Sequence, residues 1–374
     1  MNVVAASARD HRRALATAPR SIVLVGPLPP PSGGMANQTR QLAGLLSREG
    51  CAVKVVQVNA PYRPGWVAGV RGVRAFVRLL PYLWRLQRAI RDAELVHVMA
   101  NSGWAWHLFA APAIWIAWLR KVPTVVNYRG GDADAFFARQ FPLVRPTLAR
   151  AGVVAVPSGY LYAVFAKYGI ATGVVPNIVN LDAFRPADVL PAQAQLLVTR
   201  NLEPIYDIAT ALRAFALVGA RYPDARLTVA GSGPDRAALE ELAAQLGIAE
   251  RVRFTGRLDN AELPALYRAA GIVVNASRVD NMPISLLEAM ASGVPIVSTN
   301  VGGIPHVVEH EATALLVPPG EPVAMANAII RVLGDRQLAL RLRAAGIEAV
   351  ERYAWPKVRD EWFDAYARAI EAHR

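Results

Sequence analysis

The sequence predicts an α/β protein made of two doubly wound domains that face a central cleft. Three observations carry this expectation. Short β-branched runs alternate with longer amphipathic runs along the chain, and that alternation folds as a parallel sheet covered by helices. The alternation starts twice, on either side of "NLDAFRPADVLPAQ" (180–193), a stretch with two prolines and no periodicity. A length of 374 residues is enough for two separate cores.

The first set of candidate strands is "SIVLVG" (21–26), "AVKVVQV" (52–58), "LVHVMA" (95–100), "PTVVNY" (123–128), "VVAVP" (153–157) and "GVVP" (173–176). The second is "QLLVTR" (195–200), "RLTVAG" (226–231), "VRFTG" (252–256), "GIVVNA" (271–276), "PIVSTN" (295–300) and "TALLVP" (313–318). Residues 1–20 carry Arg9, Arg12, Arg13 and Arg20 without a long apolar run, so they read as a flexible tail rather than a secretory leader. The expected domains are then 21–190 and 191–354. Residues 355–374 form a last helix after Pro356, whose Trp355, Trp362 and Tyr366 pack it back across the domains. In such folds ligands lie beyond the carboxyl ends of the strands, and the cleft between two such halves is the default site.

Composition narrows the class. A chain that is 53% hydrophobic and 19% charged is globular. A lone cysteine, Cys51, forms no internal disulfide and suits a reducing compartment. The most apolar stretch, "WAWHLFAAPAIWIAWL" (104–119), is short for a membrane span and contains His107 and Pro112, so it reads as a buried helix. Residues 1–190 hold 22 Lys and Arg against 8 Asp and Glu, a balance of +14, while the rest holds 19 against 21, or −2. The basic character therefore belongs to the first half, which points it towards an anionic partner.

Five motifs offer chemistry. In "GPLPPPSGGMANQTRQLAGLL" (26–46), Gly33 and Gly34 open a helix after a strand. Backbone N–H groups and the positive helix end suit a phosphate there; the plainer reading is a tight turn needing positive φ. In "VTRNLEPIYDIATALRAFA" (198–216), Arg200 falls at the carboxyl end of the second domain's first strand, where a guanidinium can fork onto a diphosphate, or stand as an ordinary surface arginine. "VAGSGPDRAALEELA" (229–243) places Gly231 at another strand–turn–helix junction, without a full dinucleotide fingerprint. In "VNASRVDNMPISLLEAMASG", Pro283 suits a first helical turn with Asp280 or Asn281 as cap, while Glu288 lies further in, placed to accept two hydrogen bonds from a ribose diol. The loop 281–284 would point N–H groups at a ligand's oxygens. "NYRGGDADAFF" (127–137) offers Asp132 and Asp134, too few ligands for a metal cage, and helix capping by Asp132 is the commoner use. No serine elbow, zinc spacing or Walker loop occurs.

Together these motifs resemble a retaining glycosyltransferase of the GT-B fold, in glycosyltransferase family four, with two Rossmann-like domains. The resemblance runs from about 21 to 370. "PNIVNLDAFRP", "VAGSGP", "VRFTGRL" and "NVGGIPHVV" carry it in order, and "DNMPISLLEAMASGVPIVSTNVGG", with its two acids separated by seven residues, is the most specific part. The resemblance implies a nucleotide-sugar donor, a saccharide or lipid-linked saccharide acceptor, and no metal or other cofactor. It implies that Glu288 holds the ribose, Asp280 faces the donor sugar, and Asn281, Met282, Pro283, Ile284 and Ser285 bind sugar and phosphate. Arg200 would neutralise the leaving diphosphate, with Tyr206 in the same loop, Gly33 and Gly34 beside the phosphate, Gly231 at the donor, and the loop after Phe254 at the base. Polysaccharide or glycolipid synthesis in the cytoplasm, peripheral on the inner face of the plasma membrane, is the implied setting.

The chain departs from that family in three places. Asp280 stands where glutamate is usual. The lysine usual after the strand arginine is missing, with 204–207 reading Pro-Ile-Tyr-Asp and no lysine between Lys167 and Lys357. Arg129 stands about where a histidine is common and is a candidate for the missing positive charge. A nucleotide-sugar epimerase, a phosphorylase, or a nucleotide-sugar-binding protein of weakened turnover are the rival readings.

The first domain also holds Trp66, Trp84, Trp104, Trp106, Trp115 and Trp118. Arg71, Arg74, Arg78 and Arg85 share one helical face opposite Phe76, Leu79, Leu83 and Leu86, with Pro81 expected to kink or split the helix. That face reads either as a solvated polar surface or as a patch for an anionic membrane. No recognised nucleic-acid-binding module appears, so no nucleic-acid partner is expected.

Overall fold

The computed structural model describes residues 19–30, 33–61, 73–189 and 194–373. The N-terminal tail before residue 19, Trp66, Arg71 and the centre of the expected linker (190–193) lie outside the described residues, as do the side chains of Arg74 and Phe76.

By its contacts the chain forms two units. One comprises residues up to 178 together with 355–374, the other residues 179–354. The first holds β1 (Ser21–Gly26), α1 (Gly34–Arg48), β2 (Ala52–Gln57), α2 (Val73–Ile90), β3 (Leu95–Ala100), α3 (Ala111–Leu119), β4 (Thr124–Tyr128), α4 (Ala133–Leu148), β5 (Val153–Val156), α5 (Gly159–Lys167) and β6 (Gly173–Val174). Its sheet is parallel, in the order β2-β1-β3-β4-β5-β6. Every residue of β3 and β4 is buried. Helices cover both faces of a parallel sheet, so its central strands read as unbroken apolar runs.

α2 runs through Pro81 without dividing. It covers one face of the sheet with α3, α4 and α5, through Tyr82, Leu86, Ile114, Phe137 and Phe165. The tryptophan-rich stretch is only partly buried. A π-turn at Trp106–Ala110 leads into α3, and Trp106, Ile114 and Ala117 are enclosed, while Trp104, Trp118 and Leu119 are exposed.

The second unit holds β7 (Gln195–Val198), α6 (Ile208–Gly219), β8 (Arg226–Ala230), α7 (Arg236–Gln245), β9 (Val252–Gly256), α8 (Leu263–Ala269), β10 (Ile272–Asn275), α9 (Ile284–Ala291), β11 (Ile296–Thr299), β12 (Leu315–Val317), α10 (Pro322–Gly334) and α11 (Arg336–Val350). The strand order is β12-β11-β10-β7-β8-β9, again parallel. Residues 179–189 lie in this unit, because Val179 and Phe184 are buried in its core beside Leu286 and Met290. Arg343 of α11 fixes that segment by donating to the carbonyls of Gly293, at 3.2 Å, and Ala187.

The last helix, α12 (Trp355–Glu371), belongs to the first unit. Val358, Trp362, Phe363 and Tyr366 are buried against Leu24, Leu46 and Leu95. Trp355 Nε1 donates to Glu49 at 2.7 Å, and Tyr366 Oη lies 2.9 Å from His97 Nδ1 in the buried sheet.

In a doubly wound sheet, ligands gather where the strand order reverses. That point lies between β1 and β3 in the first unit and between β7 and β10 in the second. Among the described residues, no helix is long and apolar enough to cross a membrane.

Candidate active site

Arg200 leaves the end of β7 and Asp280 leaves the end of β10, so the switch point of the second sheet brings them together. They form an ion pair in which each side chain is only 12% exposed. The Arg200 Nη2 lies 3.4 Å from Ser277 Oγ, and the guanidinium carbon sits 4.4 Å from the centre of the Tyr206 ring. Burial lowers the Arg200 pKa, while Tyr206, Tyr267 and Glu288 oppose that. The Arg200 Nε is buried without a hydrogen-bond partner among the described residues.

Asp280 is not a helix cap. The N-cap of α9 is Pro283, with no side-chain cap bond. The Asp280 carboxylate is engaged by Arg200 instead, and its Oδ1 accepts the Asn281 N–H at 2.9 Å. Pro283 therefore sits just before the helix rather than in its first turn.

Glu288, on α9, is half-buried. Its Oε2 accepts from the Tyr267 hydroxyl at 2.9 Å, and that hydroxyl also lies 2.7 Å from Thr199 Oγ1 and 3.2 Å from the Ser285 carbonyl. Burial pushes the Glu288 carboxyl up to about 7, against the pull of the Tyr267 hydrogen bond and of Arg200. Ser285 is buried, and its Oγ has no hydrogen-bond partner among the described residues. Asn281 and Met282 are buried in the same loop, and Ile284 begins α9.

Glycines let these loops approach backbone to backbone. A Cβ on Gly231 would meet the Arg200 carbonyl oxygen, and one on Gly233 that of Leu202. On the other side, Cβ atoms on Gly302 and Gly303 would meet the carbonyl oxygens of Asp280 and Asn281. The Gly303 N–H donates to Asp280 O at 2.9 Å. Arg200 and Asp280 thus stand on loops that four glycines allow to approach backbone to backbone, while Glu288 is carried by α9.

Phe254 stands apart from this cluster. It lies on the edge strand β9, with the Arg236 guanidinium 5.8 Å from its ring centre.

In the first unit, Gly33 is the N-cap of α1 with φ −170°, extended backbone that any residue adopts, and a Cβ there would meet nothing within 4 Å. The tight-turn reading is therefore excluded for Gly33. Among the described residues no side chain caps this helix end, and Gly34 is its first residue.

Arg129 follows β4, its N–H donating to Ala100 O at 2.9 Å. Its Nη2 is buried without a hydrogen-bond partner among the described residues, and burial brings its pKa down to about 10. Beneath it, His97 Nε2 lies 3.2 Å from Asn127 Nδ2, and burial, helped by Arg129, lowers His97 to about 3.

Asp132 pairs with Arg139 at 3.8 Å and makes no side-chain cap bond, although it is the N-cap of α4. Asp134 pairs with Lys167 at 2.8 Å. Among the described residues, no group of three or more His, Cys, Asp or Glu is placed to hold a metal ion.

Tyr267, Thr199 and Ser277 are the polar neighbours that sequence reasoning missed. Thr199 and Ser277 lie inside quoted motifs, one beside Arg200 and one three residues before Asp280. Tyr267, on α8, has no local signal, since it joins Glu288 only through the tertiary fold.

Two abutting family models cover residues 32–349. Residues 32–183 match Glycosyltransferase Family 4, and residues 184–349 match Glycosyl transferases group 1. The chain belongs to this family of glycosyltransferases, and its fold is GT-B.

Among curated relatives it is similar to a D-inositol 3-phosphate glycosyltransferase of Salinispora tropica, 33% identical over 54% of this chain and 47% of that one. The chain thus spans about half the length of that relative. It is also similar, at 28% identity over 88% of this chain and 93% of the other, to a GDP-mannose-dependent alpha-(1-6)-phosphatidylinositol monomannoside mannosyltransferase of Mycobacterium tuberculosis. Among solved structures, a sucrose-phosphate synthase of Thermosynechococcus elongatus shares the fold with a TM-score of 0.76, at 23% identity over 93% of this chain and 98% of that one. HepE of Anabaena, solved with UDP, shares it with a TM-score of 0.72, at 18% identity over 92% and 98% of the two chains.

Proposed function

We propose that this protein is a retaining glycosyltransferase that moves a sugar from a nucleoside-diphosphate sugar to an acceptor hydroxyl, in glycolipid or polysaccharide synthesis. The observation that carries the reading is the meeting of Arg200, Asp280 and Glu288 at the switch point of the second sheet. Glu288 accepts the ribose hydroxyls, with Tyr267 orienting its carboxylate. Arg200 stabilises the charge that grows on the leaving diphosphate, helped by the backbone N–H groups of Ile284 and Ser285. Asp280 divides its interactions between Arg200 and the sugar hydroxyls. In the first unit, Gly33, Gly34 and Arg129 answer anionic groups of the substrates: a helix end opened by glycine and a buried guanidinium are both suited to phosphate oxygens.

In the transfer the bond from the sugar's anomeric carbon to the phosphate oxygen breaks, and its electron pair stays on the phosphate. The acceptor oxygen bonds the same face of that carbon, and its proton passes to the departing phosphate. No protein nucleophile takes part, no metal is required, and the work of the protein is electrostatic. A lipid-borne acceptor would bring the basic first unit to an anionic membrane surface at the inner face of the plasma membrane.

A second reading has one observation in its favour. Arg200 is already paired with Asp280, with no lysine in the residues just after it, so a nucleotide-sugar-binding protein of weakened turnover fits the same cluster.

The test is a thermal-shift panel of UDP, GDP and ADP with their sugars, followed by product analysis with pure protein. UDP and GDP come first, because HepE was solved with UDP and the mycobacterial relative is GDP-mannose-dependent. Binding to the folded state raises the melting temperature. Arg200→Ala is expected to lower kcat by about 10²–10³-fold, the loss typical of one electrostatic donor to a developing oxyanion. No shift with any nucleotide would overturn both readings. A shift with neither transfer nor hydrolysis would leave the binding protein.

A further inference from the structure

The outward face of α2 and α3 carries exposed large apolar side chains among its basic ones. Arg120 Nη2 donates to Gln87 Oε1 at 2.7 Å, tying the end of α3 to α2. Each helix buries one side, with Tyr82, Leu86 and Ile90 on α2 and Ala113, Ile114 and Ala117 on α3. A surface helix of this kind turns polar residues outward. Here Leu80 is 65% exposed, Trp84 64%, Leu119 69% and Trp118 44%.

These residues form one surface. Leu80, Trp84, Gln87 and Arg88 follow at i, i+4, i+7 and i+8, and so share a stripe of α2. Gln87 joins that stripe to Arg120, next to Trp118 and Leu119. Guanidinium groups lie on the rings: Arg88 is 5.7 Å from the Trp84 ring centre, and Arg150 is 4.8 Å from that of Trp118.

The charge on this surface has one sign. Between residues 50 and 181 the carboxylates are Asp92, Glu94, Asp132 and Asp134, none of them on α2 or α3. Each has a partner: Asp92 with Lys54, Glu94 with the Arg20 N–H, Asp132 with Arg139, and Asp134 with Lys167.

We propose that the α2–α3 face docks this protein on an anionic phospholipid bilayer. Trp84 and Trp118 sit at the headgroup level, Leu80 and Leu119 reach past it, and Arg88, Arg120 and Lys121 meet lipid phosphates. Amphipathic indole rings favour that depth, and each cation near an anionic leaflet adds attraction. A second copy of the chain is disfavoured as occupant, since two faces of the same sign repel. A nucleic acid would leave Leu80 and Leu119 in water, whereas a bilayer buries them. The attachment is interfacial, and it deepens the proposed function by naming the surface that would bring a lipid-borne acceptor to the first unit.

The experiment is flotation of the full chain with phosphatidylcholine vesicles, with and without phosphatidylglycerol. Binding to the anionic vesicles alone is expected, with tryptophan fluorescence quenched by lipids brominated near the headgroup. Arg88→Glu/Arg120→Glu should lower the bound fraction at least about tenfold, since each basic residue near the surface adds about 1 kcal/mol. Trp84→Ala/Trp118→Ala should abolish the quenching and the binding that survives high salt.

The nucleotide thermal shifts of both variants should match the wild type. If nucleotide binding is absent but vesicle binding is intact, the proposed function fails and the docking surface stands. Equal binding to neutral vesicles, no binding by the wild type, or unchanged binding in both variants would overturn the docking surface. A dimer whose dissociation restores exposure of Trp84 and Trp118 would also overturn it.

Discussion

Glu288→Gln removes an ionisable proton and keeps the side chain's size, so it isolates what burial does to this carboxyl. In the folded protein burial raises the pKa from the ordinary 4.5 to about 7. The folded state therefore holds the proton more tightly than the unfolded chain. The stability from that preference is fully present below about pH 4.5 and is lost as the pH rises through about 7. A span of about two and a half pH units at 1.36 kcal/mol each sets an upper figure of about 3 kcal/mol. For a unit of this size that is about 6–12 °C in melting temperature. The glutamine variant carries no such loss, and its amide oxygen still accepts from Tyr267. The assay is differential scanning fluorimetry of both ligand-free proteins from pH 4.5 to 8. The melting temperature of the variant, relative to wild type, should climb across that range and level off above pH 7. A difference that does not change with pH would refute the argument that a buried, proton-retaining carboxyl sits at 288. The same variant should lose most of the stabilisation by nucleotide sugars, since its one acceptor oxygen already accepts from Tyr267 and the amide nitrogen only donates.

Gly303→Ala places a Cβ against the carbonyl oxygen of Asn281, so the loop bearing Asp280 must be rebuilt. We expect a loss of several °C in melting temperature and of nucleotide binding, whereas Gly33→Ala, with nothing within 4 Å, should leave stability within about 0.5 kcal/mol while weakening anion affinity. His97, held down to about 3, is neutral in the folded first unit, so stability should fall as the pH drops below the unfolded value of 6.5. His97→Gln should flatten that acid slope in a two-state fit of near-ultraviolet circular dichroism, and an unchanged slope would count against it. On the proposed reading, ribose hydroxyls donating to Glu288 favour its ionised form, so nucleotide-sugar binding near pH 7 should release protons. Calorimetry in two buffers of different ionisation enthalpy measures this, and Glu288→Gln should remove the buffer dependence.

The twelve strands were legible because their signals are local. β-branched runs bounded by glycine, proline or polar residues mark them, and each observed strand ends within two residues of the run that predicted it. The sequence put Arg200 and Asp280 each after a strand, whereas the neighbouring of those two strands, which brings the side chains together, is a feature of the sheet order. What escaped is tertiary. Asp280 looked like a cap because aspartate just before a helix usually is one, but the ion pair with Arg200 claims its carboxylate. Tyr267 reaches Glu288 from another helix across 21 residues of sequence, and no spacing announces that. On α2, the positions of the arginines were readable, whereas the exposure of Leu80 and Trp84 depends on which side α3 and the sheet cover.

The charge balance of the cluster explains how two acids and an arginine remain half-sequestered in the ligand-free protein. Arg200 and Asp280 cancel, and Glu288 near 7 is about half protonated at neutral pH. A low-dielectric site in this state buries little net charge, which limits the desolvation cost. The same balance means that Arg200 cannot answer a diphosphate with a full positive charge unless Asp280 is drawn towards another partner. The hydroxyls of a donor sugar are such a partner, and they would release Arg200 only when the sugar itself is present. Nucleoside diphosphates should then bind more weakly than their sugar conjugates, and Asp280→Asn should narrow that gap by freeing the guanidinium in advance. If the free nucleotide and the nucleotide sugar bind equally to both forms, the Arg200–Asp280 pair is a fixed support of the loop rather than a contact exchanged on binding.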